Sequence, residues 1–323
     1  MNILIVKLSS LGDVIQTMPV VHDMLARFPS ANIDWMVEES FAPLVSRLAG
    51  VRRVLPIAQR RWRKSRWSAT TRAERAAFDQ MLSAQNYDAV IDFQGLIKSA
   101  LEARRARLNP GGFSATYGNA SEACGYEWPV RLLLQRHLPM PGRIHAVARY
   151  RLLAGLALGY VAQGNAVYAL SRPTGARQAT VVLAHGTTRA DNEWPEADWL
   201  ELARHLNASG LRVALPQSNA TELERVTRIA QALGGQADIW PRLSLPEVMD
   251  RMALSAGVIG VDSGLSHLAV ALDLPHVQIY NFDTAWRTGP QNAARQCCVF
   301  AQPTPSLDAV WQAWLAVCGA SRP

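Results

Sequence analysis

The 323-residue sequence predicts an α/β fold of two doubly wound, Rossmann-like halves, and three observations carry that expectation. Short β-branched runs alternate with segments of helical spacing along the whole chain, as in parallel sheets covered by helices. The rhythm breaks once, at 162–177, into Gly, Asn, Pro, Ser and Gln without periodicity, which reads as a linker. Two strand-turn-helix edges, MNILIVKLSSLGDVIQTMP at 1–19 and GVIGVDSGLSHL at 257–268, stand near opposite ends of the chain and suggest two sheets facing one cleft.

In the first domain, 1–161, a buried strand is predicted at 2–8, followed by the Ser-Ser-Leu-Gly-Asp turn and a helix. Strands at 33–37 and 53–57 flank a short helix at 41–49. A helix over 68–85, a strand at 89–93 and a helix over 95–107 come next. The stretch 109–128, rich in Gly, Asn, Ser and aromatic residues, reads as a loop of the kind that faces a ligand. A helix over 143–158 closes the domain. In the second domain, 178–300, strands at 180–184, 211–215, 237–239, 257–261 and 275–280 alternate with helices over 196–208, 221–233 and 245–255 and one opening at 264. A terminal helix is predicted over 307–318.

Apolar residues at 49% and charged residues at 18% supply a core and exclude long disorder. The four cysteines, Cys124, Cys297, Cys298 and Cys318, have neither metal-ligand nor disulfide-framework spacing, which fits a reduced compartment. The apolar start is interrupted at Lys7 and no small-residue cleavage site follows, so an export signal is not expected. The longest apolar stretch, 152–162, falls well short of the roughly 20 residues that span a bilayer, so any membrane contact is expected to be peripheral.

The net charge of +7 is unevenly spread: residues 1–160 carry 21 Lys+Arg against 12 Asp+Glu, and residues 161–323 carry 12 against 14. One half therefore meets an acidic partner that the other does not. Arginine outnumbers lysine 30 to 3, and Lys7, Lys64 and Lys98 all lie in the basic half. The segment QRRWRKSRW at 59–67 interleaves five cations with two tryptophans and is expected at the surface, as a loop or a helix start. No nucleic-acid fold signature accompanies it, and the mixture suits a lipid-linked, phosphate- and carboxylate-rich partner at an anionic membrane.

Asp13, at the carboxyl edge of the first sheet, fits either a helix N-cap bonded to the amide of Ile15 or Gln16, or a ligand-facing carboxylate. In the second edge, Asp262 and Ser263 turn the chain, Gly264 lets a ligand approach the backbone, and the helix start offers free amides to a phosphate. Thr187 and Thr188 follow the strand VVLAHG and offer hydroxyls at its carboxyl end. Gln94 and Lys98 lie four apart on one expected helix face, where Lys98 fits either an acceptor carboxylate or a pair with Asp92. His145, four before Arg149, fits a structural role or an acceptor contact. There is no Asp-x-Asp motif and no His/Cys cluster, so no metal and no cofactor are expected and charge compensation falls to protein donors.

The blocks KLSSLGDVIQTMP, EESFAPLV, RRWRK, DFQGLIKSA, HGTTR and VDSGLSHL, in this order and spacing, resemble the ADP-heptose:lipopolysaccharide heptosyltransferases over nearly the whole chain. The resemblance implies the GT-B arrangement of two Rossmann-like domains, with the helix at 307–318 crossing back onto the first. It implies inverting, metal-independent transfer of L-glycero-D-manno-heptose from ADP-heptose to Kdo of Kdo2-lipid A, with Asp13 as general base. It carries phosphate contacts to Thr187, Thr188, Ser263 and Gly264, sugar-nucleotide contacts to Asp262 and His267, a ribose contact to Glu222 and an adenine wall to Leu243. Lys7, Arg60, Arg61, Arg63, Lys64, Lys98 and His145 are expected toward the acceptor. Asn192 stands where the family usually has Lys, so either Arg189 compensates beside the diphosphate or donor affinity is lower. The segment YNFDTAWRTGP replaces a more Gly- and Pro-rich family loop. A monomer on the cytoplasmic face of a Gram-negative inner membrane is expected, without a nucleic-acid partner.

Three rivals remain at this point. A related transferase would add heptose to an already heptosylated core, and the RRWRK block favours the first-heptose reaction. A dinucleotide-dependent oxidoreductase would use similar strand-turn-helix units, but the first turn reads SSLGDV rather than G-x-G-x-x-G. A non-catalytic binder of anionic lipid leaves the second phosphate edge unexplained.

Overall fold

The computed structural model describes residues 1–122, 125–291 and 294–319. Ala123 and Cys124, part of the stretch expected as a ligand-facing loop, lie outside the described residues. The chain divides into two compact units, Met1–Ser171 and Arg172–Pro323.

The first unit runs β1 (Asn2–Val6), α1 (Leu11–Thr17), α2 (Pro19–Arg27), β2 (Asn32–Glu38), α3 (Ala42–Val45), β3 (Val51–Ile57), α4 (Gln59–Lys64), α5 (Ala69–Ser83), β4 (Asn86–Asp92), α6 (Ile97–Ala103), β5 (Arg107–Tyr117), a 3-10 turn (Trp128–Leu132), β6 (Arg136–Leu138) and α7 (Ala146–Leu158). Its six strands are parallel in the order β3-β2-β1-β4-β5-β6. β1 has strands on both sides and covered faces, which is why Ile3, Leu4, Ile5 and Val6 are a continuous apolar run without exposure.

The second unit runs β7 (Thr180–Ala184), a 3-10 turn (Ala190–Asn192), α8 (Glu196–Ala208), β8 (Arg212–Leu215), α9 (Ala220–Ala232), β9 (Ala237–Ile239), α10 (Leu245–Ala253), β10 (Gly257–Val261), α11 (Gly264–Ala271), β11 (His276–Tyr280), α12 (Ala285–Thr288), β12 (Gln296–Phe300) and α13 (Leu307–Gly319). Its sheet, β12-β11-β10-β7-β8-β9, is again parallel and repeats the strand order of the first. In each sheet the order reverses once, between β1 and β4 and between β7 and β10, and doubly wound sheets bind ligands beyond the carboxyl ends of those two strands.

Three expectations change. The stretch 109–128 is not all loop, because its first part completes β5: Phe113, Ser114 and Ala115 pair with Ala89, Val90 and Ile91. The register slips between Tyr87 and Ala89, which absorbs the Pro110-Gly111 interruption that made the segment look irregular. The terminal helix contributes to the core of the second unit. Val310, Trp314 and Val317 of α13, spaced i, i+4 and i+7, are buried in the second unit's core with Val277 and Ile279 of β11. The Trp314 ring lies where a side chain at Gly257 would stand, which fixes the helix on this sheet. The basic segment 59–67 is not wholly at the surface, because Trp62 is buried. Its ring meets Phe78 edge to face at 6.0 Å and its Nε1 donates to Glu74 at 2.6 Å, so α4 turns its cations outward around one aromatic anchor. Gln94 is not on a helix, because α6 begins at Ile97.

The expected linker 162–177 contains no helix or strand. Its middle is tied to the first unit: Ala49 N donates to Ala169 O and Ser171 N to Arg47 O.

Candidate active site

The turn after β1 holds the first cluster. Ser10, in extended backbone, is the N-cap of α1, and Asp13 is the helix's third residue, not the cap. Asp13 Oδ2 accepts the Ser10 amide at 3.0 Å and the Ser10 hydroxyl at 2.8 Å, the reciprocal half of a capping box. Its other oxygen, Oδ1, accepts the Tyr150 hydroxyl at 2.8 Å and faces Lys7 Nζ at 3.7 Å. Lys7 is buried, donates to Phe93 O at 3.1 Å and stands 4.8 Å over the Tyr150 ring. Burial pushes the Asp13 carboxyl up, but the Lys7 charge, the Ser10 donors and the Tyr150 hydroxyl outweigh it and hold the group well below the usual carboxylate range. The side chain remains 36% exposed, so the carboxylate is held in orientation and still reachable from outside.

β4 ends beside β1, with Val6 opposite Asp92. Gln94 Oε1 accepts the Leu8 and Ser9 amides at 3.3 and 3.2 Å, which locks the turn carrying Ser10. Asp92 accepts the Gln94 and Gly95 amides and the Ser99 hydroxyl, and burial raises its carboxyl to about 6. Lys98 is exposed and makes no pair with Asp92, whose partners are these three donors.

The second cluster occupies the reversal point of the other sheet. Thr187 Oγ1, past β7, donates to Asp262 O, past β10, at 3.4 Å. Ser263 is the N-cap of α11 and Gly264 its first residue. The Ser263 hydroxyl is buried with no hydrogen-bond partner among the described residues, an orphan donor at a helix start, where the first amides have no partner within the helix itself. Asp262 Oδ1 accepts Gln278 Nε2 at 3.1 Å and lies 3.4 Å from His267 Nε2. Burial raises the Asp262 carboxyl, but His267, Arg287 and Gln278 outweigh it and the net direction is down. Arg287 lies on α12, within the segment YNFDTAWRTGP.

Glu222 is the third residue of α9 and binds the Ser218 amide and hydroxyl at 2.7 and 2.9 Å through Oε2. It leans over Gly186, where a Cβ would stand 2.6 Å from Glu222 Oε1. Gly186, just past β7, and Glu222 thus border one patch. Asn192 ends the short 3-10 turn after β7, and Leu243 sits half-buried just before α10. Arg189 is engaged by Asp191, with Nη2 to Oδ2 at 2.5 Å.

The positions expected toward the acceptor are dispersed within the first unit. Arg60, Arg61, Arg63 and Lys64 project from α4, and Arg61 is clamped between Glu39 and Glu74. His145 is the N-cap of α7, its Nδ1 accepting the Val147 amide at 3.2 Å. Lys7 faces Asp13. Sequence reasoning missed Tyr150, Gln278 and Arg287. Tyr150 lies 137 positions from its partner and carries no local signal. Among the described residues no three His, Cys, Asp or Glu side chains are grouped to hold a metal ion, and no helix is long and apolar enough to cross a membrane.

A family model described as glycosyltransferase family 9 (heptosyltransferase) matches residues 75–311. Lipopolysaccharide heptosyltransferase 1 of Escherichia coli K12 is 41% identical over 293 residues, covering 87% of this chain and 88% of that one. The Pseudomonas aeruginosa protein of the same description is 38% identical over 285 residues, covering 87% and 78%. The solved structure of E. coli heptosyltransferase WaaC with ADP superposes with a TM-score of 0.86 at 38% identity over 97% of this chain and 98% of that one. A second, of the same enzyme with ADP-2-deoxy-2-fluoro heptose, gives 0.82 at the same identity and coverage. With two parallel six-stranded sheets of the GT-B type and these relatives, the chain belongs to glycosyltransferase family 9, the heptosyltransferases, and is a glycosyltransferase of lipopolysaccharide biosynthesis.

Proposed function

We propose that the chain transfers L-glycero-D-manno-heptose from ADP-heptose to a Kdo hydroxyl of Kdo2-lipid A, with inversion and with Asp13 as general base. The observation that carries this reading is the Asp13 carboxylate: aimed by Ser10 and Tyr150, faced by Lys7, and open on one side at the reversal point of its sheet. The donor reading draws support from the relatives crystallised with ADP and with a fluorinated ADP-heptose.

In the proposed reaction the acceptor oxygen forms a bond to the anomeric carbon while the bond from that carbon to the ADP oxygen breaks. ADP leaves with the electron pair, and the hydroxyl proton passes to Asp13. A carboxylate of depressed basicity serves here because the hydroxyl becomes acidic only as its oxygen binds carbon, so proton transfer comes late. One displacement inverts the centre and needs no second carboxylate. The leaving diphosphate meets Thr187, Thr188, the Ser263 hydroxyl and the α11 amides, which compensate charge without a metal. Asp262 and His267 hold the sugar-nucleotide, Glu222 the ribose hydroxyls and Leu243 the adenine. On the acceptor side, Arg60, Arg63, Lys64 and Lys98 supply cations for phosphate and carboxylate groups, with Arg61 already shared between two glutamates.

The test pairs native chain and Asp13→Asn with ADP-heptose and either Kdo2-lipid A or the same lipid already carrying one heptose. Native chain is expected to release ADP and extend Kdo2-lipid A with an inverted anomeric centre, and Asp13→Asn to turn over about 10²- to 10⁴-fold more slowly. Transfer to the heptosylated lipid alone would refute the acceptor assignment, and near-native turnover in Asp13→Asn would remove it as base.

A further inference from the structure

Three loops of the second unit meet beyond the carboxyl ends of β7, β10 and β11. β11 pairs with β10, Ile279 opposite Val261, so the segment after Tyr280 stands next to Asp262 and Ser263. That segment is fastened from both ends. Asn281 is buried; its Nδ2 donates to Asp191 O and Glu193 O, each at 2.9 Å, and its Oδ1 accepts the Thr304 hydroxyl at 2.8 Å. Thr288, the last residue of α12, meets the Tyr280 hydroxyl at 3.2 Å. These contacts hold α12 against the end of the sheet although it has only 4 residues.

Arg287 precedes Thr288 on this short helix and is half-buried. Asp262 and Tyr280 both feel its charge. Burial raises the Asp262 carboxyl, and His267, Arg287 and Gln278 together draw it down. Burial and the Asp262 charge raise the Tyr280 phenol, and Thr288 and Arg287 oppose them. One guanidinium thus acts on residues at the ends of both β10 and β11, which puts it at the reversal-point edge of the sheet.

Among the described residues the Arg287 side chain makes no hydrogen bond and no ion pair. The other arginines around this edge are committed. Arg189 is held by Asp191 and lies 5.7 Å over the Phe282 ring, and Arg225 donates to Glu193 at 2.7 Å. Asp262 has its own close partners, Gln278 Nε2 at 3.1 Å and His267 Nε2 at 3.4 Å. A half-buried guanidinium has lost part of its hydration, and an arriving anion compensates that loss where no carboxylate has done so.

The remaining donors at this edge are neutral: Thr187, Thr188, the Ser263 hydroxyl and the first amides of α11. A diphosphate carries several negative charges, and cleavage of its bond to a sugar adds one more at the outer phosphate. Guanidinium meets such oxygens in pairs, with charge as well as hydrogen bonds.

We propose that Arg287 holds the outer phosphate of the donor's diphosphate and offsets the charge which that phosphate gains as the sugar departs. The inference rests on the reading of ADP-heptose as donor. It is not carried over by the resemblance, because α12 lies in the segment where this chain departs from the family loop.

Calorimetric titrations of native chain, Arg287→Gln and Arg287→Lys with ADP and with AMP, which lacks the outer phosphate, test the assignment without any acceptor. Native chain is expected to bind ADP more tightly than AMP. Arg287→Gln is expected to lose about tenfold in ADP affinity and little in AMP affinity, at an unchanged melting temperature. Arg287→Lys keeps the charge without the fork and is expected to recover part of the loss, more at low salt than at high. An Arg287→Gln chain that binds ADP as native does, or that loses ADP and AMP in equal measure, overturns the assignment and leaves the donor reading standing. Native chain that binds neither nucleotide refutes the donor reading, and the assignment with it.

Discussion

Tyr150 donates its hydroxyl to Asp13 Oδ1 at 2.8 Å, joining the first residue cluster of the chain to α7 across 137 positions. The tyrosine is fully buried, with Lys7 Nζ at 4.8 Å and the Arg149 guanidinium at 4.9 Å from its ring. Such a side chain cannot swing, so the carboxylate it touches is aimed as well as held ionised. Tyr150→Phe keeps the ring and removes the donor. The Asp13 carboxyl then rises toward its ordinary value, and because a base works only when deprotonated, the acid limb of the kcat profile moves to higher pH. Loss of aim is expected to lower kcat about tenfold with little change in donor KM. Steady-state rates across pH check this, and an unmoved acid limb would mean that Tyr150 only packs.

Asp92 is the opposite case, a carboxyl without exposure that burial raises to about 6. The folded state therefore binds a proton more tightly than the unfolded chain does between pH 4 and 6, and stability falls as pH rises through that window. The displacement from 3.8 corresponds to about 3 kcal/mol lost once Asp92 is ionised. Asp92→Asn cannot ionise and is expected to flatten this slope, while leaving the Gly95 amide or the Ser99 hydroxyl with a poorer acceptor. Urea titrations at pH 4, 5, 6 and 7 on both proteins measure the difference in slope. Parallel profiles would show that Asp92 does not titrate there.

What could be read from the sequence was what local order carries. Both strand-turn-helix edges lie within about a dozen consecutive residues, so Asp13, Ser263 and Gly264 could be placed at sheet edges before any topology was known. Partners brought together by the strand order could not. Gln278 reaches Asp262 because β11 pairs with β10, and Gln94 reaches the Leu8 and Ser9 amides because β4 lies beside β1. Composition misled where one residue outweighs its neighbours. Trp62 is buried among five cations because a helix separates its anchor from its charges. The long β5 was hidden by Pro110 and Gly111, which a register slip accommodates. The apolar spacing of α13 was legible, and it matches the sheet the helix follows, where Val310, Trp314 and Val317 are buried.

Gly186 offers a way to move Glu222 without deleting it. A Cβ there would stand 2.6 Å from the carboxylate's Oε1, and the end of a glutamate yields more readily than backbone. Gly186→Ala is therefore expected to displace Glu222 at little cost in stability and to weaken ADP binding about tenfold, the worth of a hydrogen bond to a charged acceptor. Calorimetric titration with ADP, paired with a melting curve, separates the two effects. Unchanged ADP affinity would take Glu222 away from the ribose.

Asn192 bears on the same ligand from the other side. If the diphosphate lies at the β7 and β10 termini, the turn Ala190–Asn192 adjoins it, and the nearby cation Arg189 is already shared with Asp191 through two hydrogen bonds. A lysine at 192 would add a charge that no carboxylate in that turn has claimed. Asn192→Lys is accordingly expected to tighten ADP about two- to fivefold at low salt, the range of a partly exposed ion pair, and to lose most of that gain at high salt. Asp191→Asn, which releases Arg189, should act in the same direction. Titrations at two ionic strengths decide it: a gain independent of salt would point to new packing, and no gain in either variant would place the diphosphate away from this turn.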